Sequence, residues 1–160
     1  MSNIPFSAEE TLKLAIKIED NGRKFHEKMA TDTEDEELAD LFGKLAEQEK
    51  NHKTTFEEML GETLEEGEDL SSLLYGRLED SYLDVLADSK VFTTANENIQ
   101  AAKQASNRAE LLGIAISLAK DKILYYYELL DKATSDRDRG IIENIIEEEK
   151  TLIKLLANSR

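Results

Sequence analysis

The sequence is informative first through the residue types that it lacks. The 160-residue chain contains no cysteine, one proline and seven glycines. Without cysteine it can form no disulfide, zinc knuckle, iron–sulfur cluster or rubredoxin-type iron centre, and it offers no thiol nucleophile. Because Pro5 is the single proline and glycines are few, little in the sequence interrupts long helices.

Basic residues and long apolar runs are also scarce. There are 20 basic and 35 acidic residues, which give a formal net charge of -15. Such a surface repels phosphate backbones and anionic membranes, so neither nucleic acid nor membrane is expected as a partner. No run approaches the roughly 20 apolar residues of a membrane span, and the N-terminus has no signal-peptide pattern. A cytoplasmic location is therefore expected.

The hydrophobic periodicity predicts an all-α protein with a single domain over residues 1–160. Apolar residues recur at steps of three and four in four segments, as one face of a helix requires. We expect a first helical hairpin over about 7–60 and a second over about 95–160, with one helix over 95–133. The stretch 61–94 is expected to be a long, partly helical crossover. Thr33 with Glu36 predicts the start of the second helix, and Ser135 or Asp136 that of the last.

Two polar residues interrupt the apolar stripe of the second helix. The stripe runs through Leu45 and resumes at Phe56, and the same steps place Glu49 and His52 between them. Burying such groups unpaired costs several kcal/mol, in rough terms, unless they are paired, protonated or bound to a metal. Glu-x-x-His directs an oxygen and a nitrogen donor at one ion. The alternative is a buried pair satisfied by each other and by lysine or tyrosine.

The two halves of the chain match at a constant offset of 100 residues. Paired positions include Phe25 with Tyr125 and His26 with Tyr126, and Glu49 meets Glu149. Two hairpins that bury their stripes against each other form a four-helix bundle.

The polar core positions repeat only in part. Glu19 is an inward carboxylate of the first helix, but its counterpart is Ala119, and the counterpart of His52 is Leu152.

The chain resembles the rubrerythrin branch of the ferritin-like superfamily. The resemblance rests on one carboxylate in the first helix, a Glu-x-x-His pair in the second, a long crossover and a repeated hairpin. Segments 41–52 and 119–129 are similar to the helix patterns of that family. The resemblance implies a ferritin-like four-helix bundle in which a Glu and a Glu-x-x-His from each hairpin hold two irons. It places Glu19, Glu49, His52 and Glu149 on metal-ligand positions.

The resemblance also implies a degenerate site, because Ala119 and Leu152 stand where a Glu and a His would be. We expect one ion in place of two, iron or another divalent metal such as Mn or Zn, since these donors do not select among them. Oxidoreductase activity on peroxide or dioxygen, or iron handling, follows by resemblance, with a separate electron donor. A homodimer is compatible with such a bundle. The alternative is a metal-free bundle that acts as a scaffold or binding module.

Two further residues have weaker assignments. His26 follows Glu19 by seven residues on the same face and is expected to be a core histidine or to support a ligand. Tyr126 is expected to pack in the core, with the alternative that its hydroxyl reaches a core carboxylate.

Overall fold

A computed structural model of the chain describes residues 8–62 and 95–160. These residues form five helices in the following order: α1 over Ala8–Asp32, α2 over Glu36–Glu62, α3 over Ala95–Lys103, α4 over Arg108–Lys132 and α5 over Asp136–Asn158. The predicted crossover at 61–94 lies almost wholly outside the described residues. Within the described ranges, no helix is long and apolar enough to cross a membrane.

The helix predicted over 95–133 is two helices, which corrects the expectation of one. The break precedes Arg108, where the Asn107 side chain accepts a hydrogen bond from the Glu110 amide at 2.9 Å. In return, the Glu110 carboxylate accepts one from the Ser106 amide at 2.7 Å. This reciprocal capping begins a new helix at Arg108, because it satisfies one amide of the first helical turn and one amide just ahead of the helix.

The starts of α2 and α5 are also fixed by side-chain caps. At α2 the cap is Asp35, whose carboxylate accepts from the amides of Glu37 and Leu38 at 3.0 and 3.2 Å. The prediction of Thr33 was therefore wrong by two residues, since its hydroxyl instead accepts from the Asp35 amide. At α5 the Ser135 hydroxyl accepts from an amide of the first turn.

The helices pair as two antiparallel hairpins, α1 with α2 and α4 with α5, which confirms the predicted bundle. Two apolar clusters fill its two ends. Cluster one contains the start of α1, the end of α2, the end of α4 and the start of α5, and its fully buried members include Phe56 and Tyr126. Cluster two contains the opposite ends of the same four helices, and its fully buried members include Phe25, Phe42 and Leu112. Thus α2 ends at one end of the bundle and α4 begins at the other, as a crossover connection requires.

Arg108 ties three helices together at the cluster-two end. Its guanidinium donates to Asp35 and Glu37 at the start of α2, at 2.9 and 2.8 Å. It also donates to the Ser159 carbonyl at the end of α5, at 2.7 Å. Since the start of α4 meets the start of α2 and the end of α5, these bonds agree with the topology.

Asp20 links α1 to α2 on the outside of the first hairpin. One of its oxygens accepts from Lys53 and from Arg23, both at 2.9 Å, and the other pairs with Lys24 at 3.0 Å. Partial burial by itself would raise the pKa of Asp20, but the hydrogen bonds with these three cations outweigh it. The pKa therefore lies well below its usual value of 3.8.

We predict that Asp20 stabilises the folded chain at neutral pH and loses this effect in acid. A carboxylate with a lowered folded-state pKa contributes stability above its unfolded-state pKa, and the contribution falls as pH falls through the folded-state value. Asp20→Asn should cost about 1 to 2 kcal/mol at pH 7, since the group is only partly exposed. Urea unfolding of both proteins should show the difference shrinking between pH 4 and pH 2. The exposed Asp40→Asn, on α2, is the control, and an equal effect from it would contradict the assignment.

Candidate metal centre

Between the two apolar clusters lies a layer of charged side chains. The four residues predicted as metal ligands all lie in it, and each is at most 3% exposed: Glu19 from α1, Glu49 and His52 from α2, and Glu149 from α5. The bundle therefore brings together three carboxylates and an imidazole from three helices.

Lys122, which the sequence analysis did not select, lies at the centre of this layer. Its side chain enters from α4 and is buried. The ammonium is 2.9 Å from Glu19 Oε1, 3.2 Å from Glu49 Oε2 and 2.8 Å from Glu149 Oε1. One cation thus contacts a carboxylate from each of three other helices. Two of these carboxylates belong to the first hairpin and one to the second.

A sequence signal for Lys122 existed. Ala119, Lys122, Tyr126 and Leu129 follow one another at steps of three and four on α4, so Lys122 lies on the inward stripe. At the 100-residue offset the counterpart of Lys122 is Gly22. Because glycine has no side chain, the repeat showed no polar residue at the position that matches Lys122.

His52 approaches the cluster from the other side. Its Nδ1 lies 3.4 Å from Glu19 Oε2 and 3.4 Å from Glu149 Oε1. Its Nε2 lies 3.2 Å from a carboxylate oxygen of Glu148, which is half exposed. A carboxylate behind a histidine fixes the ring's orientation and directs the other nitrogen towards a ligand.

The atoms on the His52 side fit a metal ion. Glu19 Oε2, His52 Nδ1 and Glu149 Oε2 are buried without a hydrogen bond to any described residue, while Glu149 Oε1 pairs with the Lys122 ammonium. One ligand atom from each of these three residues lies within 4.8 Å of the others. Donors about 2.0 to 2.2 Å from one ion lie roughly 2.8 to 3.6 Å apart in tetrahedral or octahedral geometry. The 3.4 Å separations at His52 fall in that range.

Glu49 is engaged elsewhere and does not belong to this triad. Its Oε1 is hydrogen-bonded to His26 Nδ1, and its Oε2 accepts from Lys122. His26 is buried between the rings of Phe25 and Phe42. His26 therefore supports a core carboxylate and is not one of the three triad residues.

The charges of the layer stabilise one another. Burial alone would lower the pKa of His52, but the carboxylates of Glu149 and Glu19 outweigh it and raise the pKa to about 10. Burial would likewise lower the pKa of Lys122, and the three carboxylates hold it well above its usual value. The pKa of Glu149 lies below its usual value, because Lys122 and His52 outweigh the effect of burial. Three carboxylates thus face at least two cations in the absence of any metal.

The positions that break the repeat lie beside the same cluster. Ala119 and Leu152 line a small cavity together with Glu49, Lys122 and Glu149. The Tyr126 hydroxyl is buried and makes no hydrogen bond to a described residue. Burial, followed by the charges of Glu19 and Glu149, raises the pKa of Tyr126 well above its usual value.

Gly22 provides the space that the Glu49 carboxylate occupies. A Cβ atom at Gly22 would lie 1.9 Å from Glu49 Oε2, whereas a Cβ at Gly43 of α2 would meet nothing within 4 Å. Glu49 cannot withdraw freely, because His26 and Lys122 hold its two oxygens.

We predict opposite effects of the same substitution at these two glycines. Gly22→Ala should destabilise the protein by about 1 to 3 kcal/mol, because it displaces a buried, hydrogen-bonded carboxylate. Gly43→Ala should stabilise it by about 0.5 to 1 kcal/mol, because alanine loses less backbone entropy in a helix. Equilibrium urea unfolding measures both changes. A stabilising Gly22→Ala would show that Glu49 is not fixed as described.

Comparison with known proteins gives one result. The family model described as Rubrerythrin matches residues 10–151, which is most of the chain and includes every residue of the charged layer. No match is found among curated proteins or among solved structures. The chain belongs to the rubrerythrin family.

Proposed function

We propose that this protein binds one divalent metal ion through Glu19, His52 and Glu149. The observation that carries the proposal is the convergence of buried ligand atoms that have no hydrogen-bond partner among the described residues. Leaving such atoms unsatisfied costs free energy, and a metal ion coordinated by them would remove that cost. Membership of a family that typically binds iron supports the same reading.

Glu49 has a different role in this proposal. It was predicted as a fourth ligand, but both of its oxygens have partners, His26 and Lys122. We assign Glu49 to the positioning of Lys122, and the ion to the other three side chains.

The donor set suits iron, manganese or zinc. Carboxylate and imidazole ligands accommodate all three, so the identity of the ion depends on its availability to the protein. A bound iron ion would supply one-electron redox chemistry. Since these 160 residues include no cysteine to hold a rubredoxin-type centre, electrons for such chemistry would come from a centre outside them.

A specific observation also favours a second candidate, a metal-free bundle that serves as a scaffold or binding module. Lys122 and a protonated His52 already balance two of the three carboxylates. A core of this kind is stable without an ion if its remaining charges are hydrogen-bonded. The metal content of the purified protein separates the two candidates.

We predict about one transition metal per chain in protein purified without chelators, or after anaerobic Fe(II) loading and desalting. His52→Ala should reduce this at least tenfold, because it removes the only nitrogen donor of the triad. Elemental mass spectrometry gives the stoichiometry, and circular dichroism verifies that each variant is helical.

Two variants serve as controls. His26→Ala also removes a buried imidazole, and Glu49→Gln removes the carboxylate charge of the fourth predicted ligand. Both should retain one ion, since neither residue belongs to the triad. Equal loss of metal in His26→Ala and His52→Ala would contradict the ligand assignment. No metal in the wild-type protein after loading would leave the metal-free candidate.

A further inference from the structure

We propose that the Lys122 ammonium occupies the position of a second metal ion, so that the cluster holds one cation supplied by the chain and one from solution. This inference rests on the proposed function, because it concerns the other half of the same cluster. It assigns to Lys122 the control of how many ions the protein binds.

Two carboxylates connect Lys122 to the His52 side of the cluster. Glu19 directs Oε1 to the ammonium at 2.9 Å and Oε2 to His52 Nδ1 at 3.4 Å. Glu149 Oε1 lies 2.8 Å from the ammonium and 3.4 Å from the same nitrogen. Carboxylates that face two neighbouring positions in this way are arranged to bridge two cations.

The Lys122 half of the cluster has donors of its own. Glu49 contributes Oε2 at 3.2 Å, and His26 holds the other oxygen of that carboxylate. The ammonium is therefore surrounded by three carboxylates with an imidazole behind one of them. The ammonium forms ion pairs with all three carboxylates at 2.8 to 3.2 Å.

The charge of the cluster also limits the number of ions. With both imidazoles counted as neutral, three carboxylates are balanced by one ammonium and one divalent ion. A second divalent ion would leave two uncompensated positive charges in a core that is almost entirely shielded from water, which is strongly unfavourable. Replacing the lysine by glutamate would give four carboxylates, which two divalent ions balance.

The test compares Mn(II) stoichiometry in the wild-type chain, Lys122→Glu, Lys122→Gln and Lys120→Gln. Lys120 is exposed on the same helix and is the matched control. We expect one Mn(II) per chain in the wild-type protein and in Lys120→Gln. We expect two in Lys122→Glu, with an electron paramagnetic resonance signal of two coupled ions in place of the signal of one isolated ion.

The outcomes distinguish this inference from the function on which it rests. One ion in the wild-type protein and in both Lys122 variants would overturn the inference and leave the proposed function intact. No ion in any protein would overturn both. No ion in the wild-type protein but binding in a Lys122 variant would overturn the one-metal function, while it would support Lys122 as the residue that excludes metal.

A second measurement uses the wild-type protein and does not depend on the folding of a variant. The ¹⁵Nζ–¹H spectrum of the metal-free protein should contain a slowly exchanging ammonium signal from Lys122, assigned through correlations along its own side chain. Loading with one Zn(II) should shift this signal but preserve it. Its disappearance on loading would mean that the ion displaces Lys122, which would overturn the inference.

Discussion

The ammonium of Lys122 and the three carboxylates around it form the interaction on which the centre of this bundle depends. Carboxylates from α1, α2 and α5 point into a layer that is closed above and below by apolar side chains. Without a cation they would repel one another in a medium that screens charge poorly. Removing one partner of a buried ion pair typically costs about 3 to 5 kcal/mol, so the lysine stabilises the metal-free fold.

The same interaction constrains how the helices pack. Sliding one helix by a single turn, about 5.4 Å, would separate the ammonium from carboxylates that it now contacts at 2.8 to 3.2 Å. The apolar clusters tolerate such a shift more easily, because hydrophobic contact has little directional preference. The polar layer therefore fixes the relative positions of the helices, while the two clusters supply most of the buried apolar surface.

This layer lies within the part of the chain that matches the rubrerythrin family. The chain has the family's helical framework and an inward carboxylate on each of three helices, but alanine and leucine stand at two positions of the repeat. Ala119 and Leu152 line the cavity next to Lys122, so the two positions at which the repeat breaks lie in the same part of the core as the Lys122 cation.

Periodicity alone determined much of this protein. Steps of three and four identified the helices, and the 100-residue repeat identified the two hairpins. The same steps placed Glu19, Glu49, His52 and Glu149 in the core, because a helix fixes which residues share a face. The break before Arg108 was missed, although Asn107 and Glu110 have the spacing of a capping box, because the apolar pattern continues across it.

Only the tertiary structure decided how these residues interact. The sequence gives no distance between α4 and the first hairpin, so it could not show that Lys122 reaches three carboxylates or that His26 holds Glu49. It also could not show that Glu148 lies behind His52, since exposed acids are common on every helix. Helical periodicity specifies the face on which a side chain lies, whereas its partner depends on which helices are adjacent and at what height. That information arises only when the two hairpins pack together.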